Sequence, residues 1–135
     1  MRYLVDTDTA IDYLNGRAYT RLLFRSLSAD GTERLGISLA TYGELLAGIP
    51  YSRHRPANER ALRAFLHLVA ILPVTRAVMQ RFADLKAELS HRGQLIGDFD
   101  TLIAATALHH GLTLVTRNRR HFERIPELQL YLPPT

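Results

Sequence analysis

Residues 96–116 read "IGDFDTLIAATALHHGLTLVT". From Thr101 to Leu108 the chain is built of small and apolar residues, no glycine or proline interrupts it between Phe99 and His110, and Gly111 closes the run. That composition, with its glycine stop, predicts a helix over 99–111. The next segment, "LTLVT" (112–116), is short, apolar and rich in β-branched residues, so it reads as a buried strand. A helix that feeds straight into a mainly apolar strand is half of an α/β unit, in which a parallel sheet is covered on both faces. Two carboxylates, Asp98 and Asp100, stand at the head of that helix. Locally they admit two roles: capping and dipole compensation, or ligation of a metal ion.

The same alternation continues in both directions. Strands are predicted at "RYLV" (2–5), "RLGIS" (34–38), "AILPV" (70–74) and "LQLYL" (128–132), with Pro73 limiting the third to an edge. Helices are predicted at 7–16, 18–31, 39–49, 57–69 and 75–93, with a helical turn at 118–124 and a basic loop at 51–56. Their ends carry recognisable signals: Asn15-Gly16, Asp30-Gly31, Pro50, Thr75 as an N-cap and Gly93 as a stop. Leu45, Leu46 and Ile49 are expected on the apolar side of the 39–49 helix. No repeat or linker divides the chain, so residues 1–135 are expected to form one domain with a mainly parallel sheet flanked by helices. Periodicity does not supply the strand order.

Composition narrows the function classes. The chain has 135 residues, 47% hydrophobic and 22% charged, enough for a packed core without staples. It contains no cysteine, which excludes disulfides, thiolate metal sites and a cysteine nucleophile. The opening "MRYLVDTDTA" turns polar too soon for a secretion signal, and no apolar run reaches the roughly 18 residues of a membrane span. A cytoplasmic protein without membrane attachment is expected. The net charge of +4 permits a polyanionic partner such as nucleic acid.

Against that basic background the acids gather at one kind of position. In parallel sheets, functional groups collect at the carboxyl ends of strands. Asp6 ends the first predicted strand, and Thr116 and Asn118 follow the fourth. Glu44 lies on the helix after the second strand, and Asp100 in the first turn of the helix before the fourth. Carboxylates brought together repel, so one takes up a proton or a cation sits between them. An oxygen-rich set without cysteine suits Mg²⁺ or Mn²⁺, which bind phosphate oxygens and activate water. Singly, each acid has a plainer reading: Asp6 and Asp98 as helix caps, Asp100 as a dipole partner, Asp8 and Asp12 as solvated or capping groups. Glu44, between Tyr42 and Leu45-Leu46, is the least easily explained by structure alone.

Together, "YLVDTDTAIDYL", "ISLATYGELLAGI" and "IGDFDTLIAATALHHGLTLVTRNRRHF" resemble the PIN-domain ribonucleases, and within them the VapC-type toxins of toxin–antitoxin pairs. The resemblance runs from about residue 2 to about residue 125, in family order and spacing. It implies a PIN-like fold and a Mg²⁺- or Mn²⁺-dependent endoribonuclease. It implies Asp6 and Asp100 as principal metal ligands and Glu44 as a third acid that ligates or positions water. Asp98 ranks below Asp100. Many relatives carry an acid where this chain has Asn118, and some carry one at His121, which leaves the number of bound ions open. Asp8 stands where asparagine is frequent. The resemblance also implies a homodimer and a small VapB-type antitoxin that threads a segment across the pocket; Leu22, Leu23 and Phe24 offer one groove for it, or a core role for two of them.

The substrate reading is electrostatic. Arg117, Arg119 and Arg120 follow the fourth strand, where they could hold RNA phosphates. Arg53, His54 and Arg55 form a second basic stretch. A loop in a folded RNA is the expected target. A histidine general base, from His91, His109, His110 or His121, is disfavoured, since His109 and His110 suit a helix C-terminus. A catalytically weak RNA-binding or operon-repressing module is the alternative. The absence of a late lysine counts against a receiver-like phosphoacceptor, since the one lysine, Lys86, lies mid-helix.

Overall fold

The computed structural model describes residues 1–28 and 34–134. Its elements run β1 (Tyr3–Val5), α1 (Thr7–Leu14), α2 (Ala18–Leu27), β2 (Leu35–Ser38), α3 (Leu39–Gly48) and a 3₁₀ turn (Ile49–Tyr51). They continue with α4 (Arg55–Leu66), β3 (Val69–Leu72), α5 (Arg76–His91), α6 (Asp98–His110), β4 (Thr113–Val115), α7 (Arg119–Phe122) and β5 (Leu130–Tyr131). The strands form one parallel sheet in the order β3-β2-β1-β4-β5. The chain builds outward from β1 to β3, then returns through α5 and α6 to lay β4 on the other side of β1. The order therefore reverses between β1 and β4, and ligands of open α/β sheets bind at such a reversal, beyond the strand ends.

The strands are short and mainly apolar, and the central ones are covered on both faces. Leu4 and Leu114 point into one core, with Val78, Leu85, Leu89 and Ile103 of α5 and α6. Val5 and Val115 point into the other, with Leu23, Phe24, Leu62 and Phe65 of α2 and α4. This is the two-residue period of a strand read out on two hydrophobic layers. Helix α6 is buried on nearly all sides: Ile103, Ala104, Ala105 and Ala107 are fully inaccessible, and the alanines let it lie close to α5 and the sheet. Around α1, Tyr13 stacks on Phe24 at 4.5 Å between ring centroids and meets Phe65 at 5.4 Å.

Several boundaries differ from the sequence reading. The basic segment 51–56 is not all loop, because Pro56 sits at the start of α4, where its missing N–H costs nothing, and the helix begins at Arg55. The third strand begins at Val69, pairs with β2 at the edge of the sheet and ends at Leu72, so Pro73 follows it rather than standing within it. Leu46 is 43% exposed while Leu45 is buried, so the apolar side of α3 is narrower than expected. Leu23 and Phe24 are core and Leu22 is exposed, so those three make no groove. The predicted Asp30-Gly31 stop lies outside the described residues; α2 ends at Leu27 with Ser28 as its C-cap. Thr75 caps α5 by accepting the Val78 amide, as its position promised.

Candidate active site at the β1–β4 junction

Asp6 is the first residue beyond β1 and Thr116 the first beyond β4. Since Val5 pairs with Val115, the two side chains emerge next to each other. The Thr116 hydroxyl donates to Asp6 Oδ2 at 2.5 Å, and the Asp6 amide donates to the Val115 carbonyl at 3.1 Å. Asp6 Oδ1 accepts the Thr9 amide at 3.0 Å, capping α1. Of the roles the sequence left open for Asp6, these contacts show the cap, with the second carboxylate oxygen held by Thr116. Asp6 is only 3% exposed. Burial pushes its pKa up to about 6, the hydrogen bonds from Thr116 and Thr9 pull the other way, and the charge of Asp8 adds to the rise.

Glu44 is reached from the neighbouring strand. Ser38 ends β2 and caps α3 by accepting the Ala40 amide, which starts the helix that carries Glu44. The Thr7 hydroxyl donates to Glu44 Oε1 at 2.5 Å and lies 3.1 Å from the buried Thr41 hydroxyl. This couples the start of α1 to α3. Burial raises the pKa of Glu44, opposed by the Thr7 bond, and the charges of Asp100 and Asp8 raise it further. Glu44 therefore shares an electrostatic environment with two acids from other elements. Thr7 and Thr41 were missed in the sequence, where a threonine at a helix start signals only a cap.

Asp100 enters from α6. Its Oδ2 lies 3.3 Å from His121 Nδ1, which lies 2.9 Å from Asn118 Nδ2. The Asn118 amide donates to Thr116 Oγ1 at 2.9 Å. A continuous polar chain thus runs from Asp6 through Thr116, Asn118 and His121 to Asp100. His121, set aside as a general base, is brought onto a site carboxylate; the only sequence signal was its place just before Phe122, where some PIN relatives have an acid. His109 and His110 sit at the other end of α6, roughly 13 Å along the axis from Asp100.

Asp98 goes elsewhere. Two residues apart on a helix is a rotation of about 200°, so Asp98 and Asp100 face opposite sides. Asp98 is 59% exposed and pairs with Lys86 of α5 at 2.9 Å. It is not a cap either: the N-cap is Gly97, with no side-chain hydrogen bond. Arg117 Nη1 lies 3.4 Å from Asp12 Oδ2, and its guanidinium sits over the Tyr19 ring, whose hydroxyl also donates to Asp12. Asp12, read as solvated or capping, is instead a partner of both. Arg119 pairs with Glu123 on the surface at 3.1 Å. Arg120 is exposed and lines a polar cleft of about 470 Å³ with Arg92 and Arg124.

Among the described residues, no three His, Asp or Glu side chains stand close enough together to hold a metal ion as they are placed. The acids are coupled by their charge rather than by contact. Their chemistry nonetheless fits a hard divalent cation. The donors are mainly oxygens, and a desolvated Asp6 beside a mutually repelling set is ionised more readily with positive charge at hand.

A PIN domain family model matches residues 3–128. Ribonuclease VapC2 of Haemophilus influenzae (strain Rd) is 35% identical over 129 residues, covering 96% of this chain and 96% of the relative. The tRNA(fMet)-specific endonuclease VapC of Salmonella typhimurium is 29% identical, again with 96% of each covered. Among solved structures, VapBC2 from Rickettsia felis bound to a promoter DNA fragment aligns with a TM-score of 0.90 at 29% identity, covering 99% of this chain and 100% of that one. Five parallel strands with the acids at their carboxyl ends, and a match that spans nearly the whole length, lead to one assignment: the chain belongs to the PIN-domain family, among its VapC-type ribonucleases.

Proposed function

We propose that this protein is the endoribonuclease toxin of a VapBC-type pair, cutting RNA with a divalent ion, Mg²⁺ or Mn²⁺, held at the β1–β4 junction. The observation that carries this reading is Asp6: a nearly inaccessible carboxylate at the sheet's reversal point, bonded to Thr116 and held partly protonated near neutral pH. A purely structural cap gains nothing from that cost. Asp6 and Asp100 hold the ion, and Asn118 contributes at the edge of the same site. Once bound, the ion stabilises charge on the phosphoryl oxygens and lowers the pKa of a water molecule. Thr116 fixes the Asp6 carboxylate, and Thr7 fixes Glu44 so that its second oxygen orients the attacking water. Asp98 takes no part.

Substrate affinity comes from arginine. Arg117 and Arg119 reach phosphates by exchanging exposed ion pairs with Asp12 and Glu123, and such pairs contribute little on a surface. Arg120 extends the basic surface toward Arg92 and Arg124. A structured RNA is the target, and the name of the Salmonella relative makes initiator tRNA the first to try. The antitoxin segment sets an apolar side chain into a cavity of about 190 Å³ lined by Ile11, Leu14, Glu44, Leu45, Ile49 and Leu62. A basic side chain laid there would neutralise the acid. The working form is a cytoplasmic homodimer; no helix among the described residues is long and apolar enough to cross a membrane.

The test is cleavage of initiator tRNA by purified chain in Mg²⁺ or Mn²⁺ and in EDTA. Asp6→Asn, Asp100→Asn and Glu44→Gln are each expected to lose activity at least about a hundredfold while staying folded, and Asp98→Asn to keep it. Cleavage that persists in EDTA, or wild-type rates in Asp100→Asn, would overturn the assignment.

A further inference from the structure

We propose that His121 supplies a nitrogen ligand to the ion held at Asp100, so that this site takes Mn²⁺ in preference to Mg²⁺. The inference rests on the metal-dependent reading above and concerns which ion that site selects.

The geometry is that of neighbouring ligands. Adjacent donors of an octahedral ion with bonds of about 2.1 Å sit about 3 Å apart. Asp100 Oδ2 and His121 Nδ1 are 3.3 Å apart, and the Asn118 side-chain amide is 2.9 Å from the same nitrogen. Amide oxygen and nitrogen exchange places by a half-turn, so Asn118 can present Oδ1 to the same point. A carboxylate oxygen, an imidazole nitrogen and an amide oxygen then border one ligation site. His121 is held there by the fold: the next residue, Phe122, is 1% exposed in the core, and α7 follows directly on β4. The ring remains 40% exposed and the Asp100 side chain 30%, so an ion can reach both from solvent.

The chemistry then separates the two ions. Mg²⁺ demands oxygen donors and gives up its waters reluctantly, whereas imidazole suits transition-metal ions. A neutral imidazole also adds a donor without adding negative charge to acids that already repel one another.

The experiment uses the metal-stripped full chain with Mn²⁺ as the probe. Continuous-wave electron paramagnetic resonance measures binding, and pulsed resonance reads nitrogen coupling at the bound ion. The wild type is expected to show imidazole nitrogen coupling. His121→Asp should keep bound Mn²⁺ without that coupling, and its preference for Mn²⁺ over Mg²⁺ in competition should fall about tenfold. That figure is the low end of what changing even a group hydrogen-bonded to a ligand does to affinity. Asp100→Asn should weaken Mn²⁺ binding in the same assay. Mn²⁺ bound by the wild type with no nitrogen coupling would overturn the inference while leaving the metal-dependent reading in place. No Mn²⁺ bound at millimolar concentration would overturn both.

Discussion

Asp6 costs stability in the absence of metal, and the sign of its pH dependence follows from its shift. Its pKa is raised from 3.8 to about 6 in the folded chain, so between those values the folded state binds more protons than the unfolded one. Asp6's contribution is therefore most favourable below about pH 4, falls as pH rises through 6, and is flat above. At about 1.4 kcal/mol per pH unit the full loss is about 3 kcal/mol. Asp6→Asn keeps an oxygen for the Thr9 amide and removes the charge. Urea unfolding in metal-free buffer should find the variant and the wild type nearly equal at pH 4 and the variant more stable by about 3 kcal/mol at pH 7.5. A stability difference that does not change with pH would contradict the shift. Residues of this kind were legible in the sequence because an acid at a strand end is a local pattern. Thr7, Thr41 and His121 were not, since their meaning lies in contacts with elements 21 to 37 residues away. The same holds for Arg117, whose partner Asp12 is 105 residues distant.

Helix ends and helix interiors ask opposite things of glycine. Gly111 closes α6 with φ of 65°, a left-handed conformation that a side chain resists. Gly43 lies within α3 with ordinary helical φ and open space where a Cβ would stand. Gly111→Ala should destabilise by about 1 kcal/mol, whereas Gly43→Ala should stabilise by about the same amount. Paired thermal melts check both, and a shift of the same sign in the two variants would contradict the account. Element type was readable throughout because helix and strand periods are distinct and glycine and proline mark the breaks. Boundaries were less so. Val69 was assigned to a helix on its apolar stripe, but pairing with Leu35 of β2 takes it into the sheet. Arg55 was assigned to a loop on charge, yet α4 starts there, with Pro56 in its first turn.

For the molecule as a whole, the strand order is what periodicity could not supply and what matters most. Placing β4 beside β1 brings the acids of three helix–strand junctions into one electrostatic environment. A divalent ion that binds only the folded chain must then stabilise all of it. At a hundredfold excess over its dissociation constant the gain is about 2.7 kcal/mol. The melting temperature should rise with added Mn²⁺, more at pH 7.5 than at pH 5, where Asp6 is largely protonated, and Asp6→Asn should abolish most of the rise. An equal rise in the variant would point to ions bound elsewhere. Thr116, the hydroxyl that secures Asp6, comes 110 residues later in the chain. A ribosome that has made the first hundred residues has therefore made a nascent polypeptide with no β4 to set beside β1, and a premature stop before that strand yields a fragment in which Asp6 has no Thr116 hydroxyl to secure it.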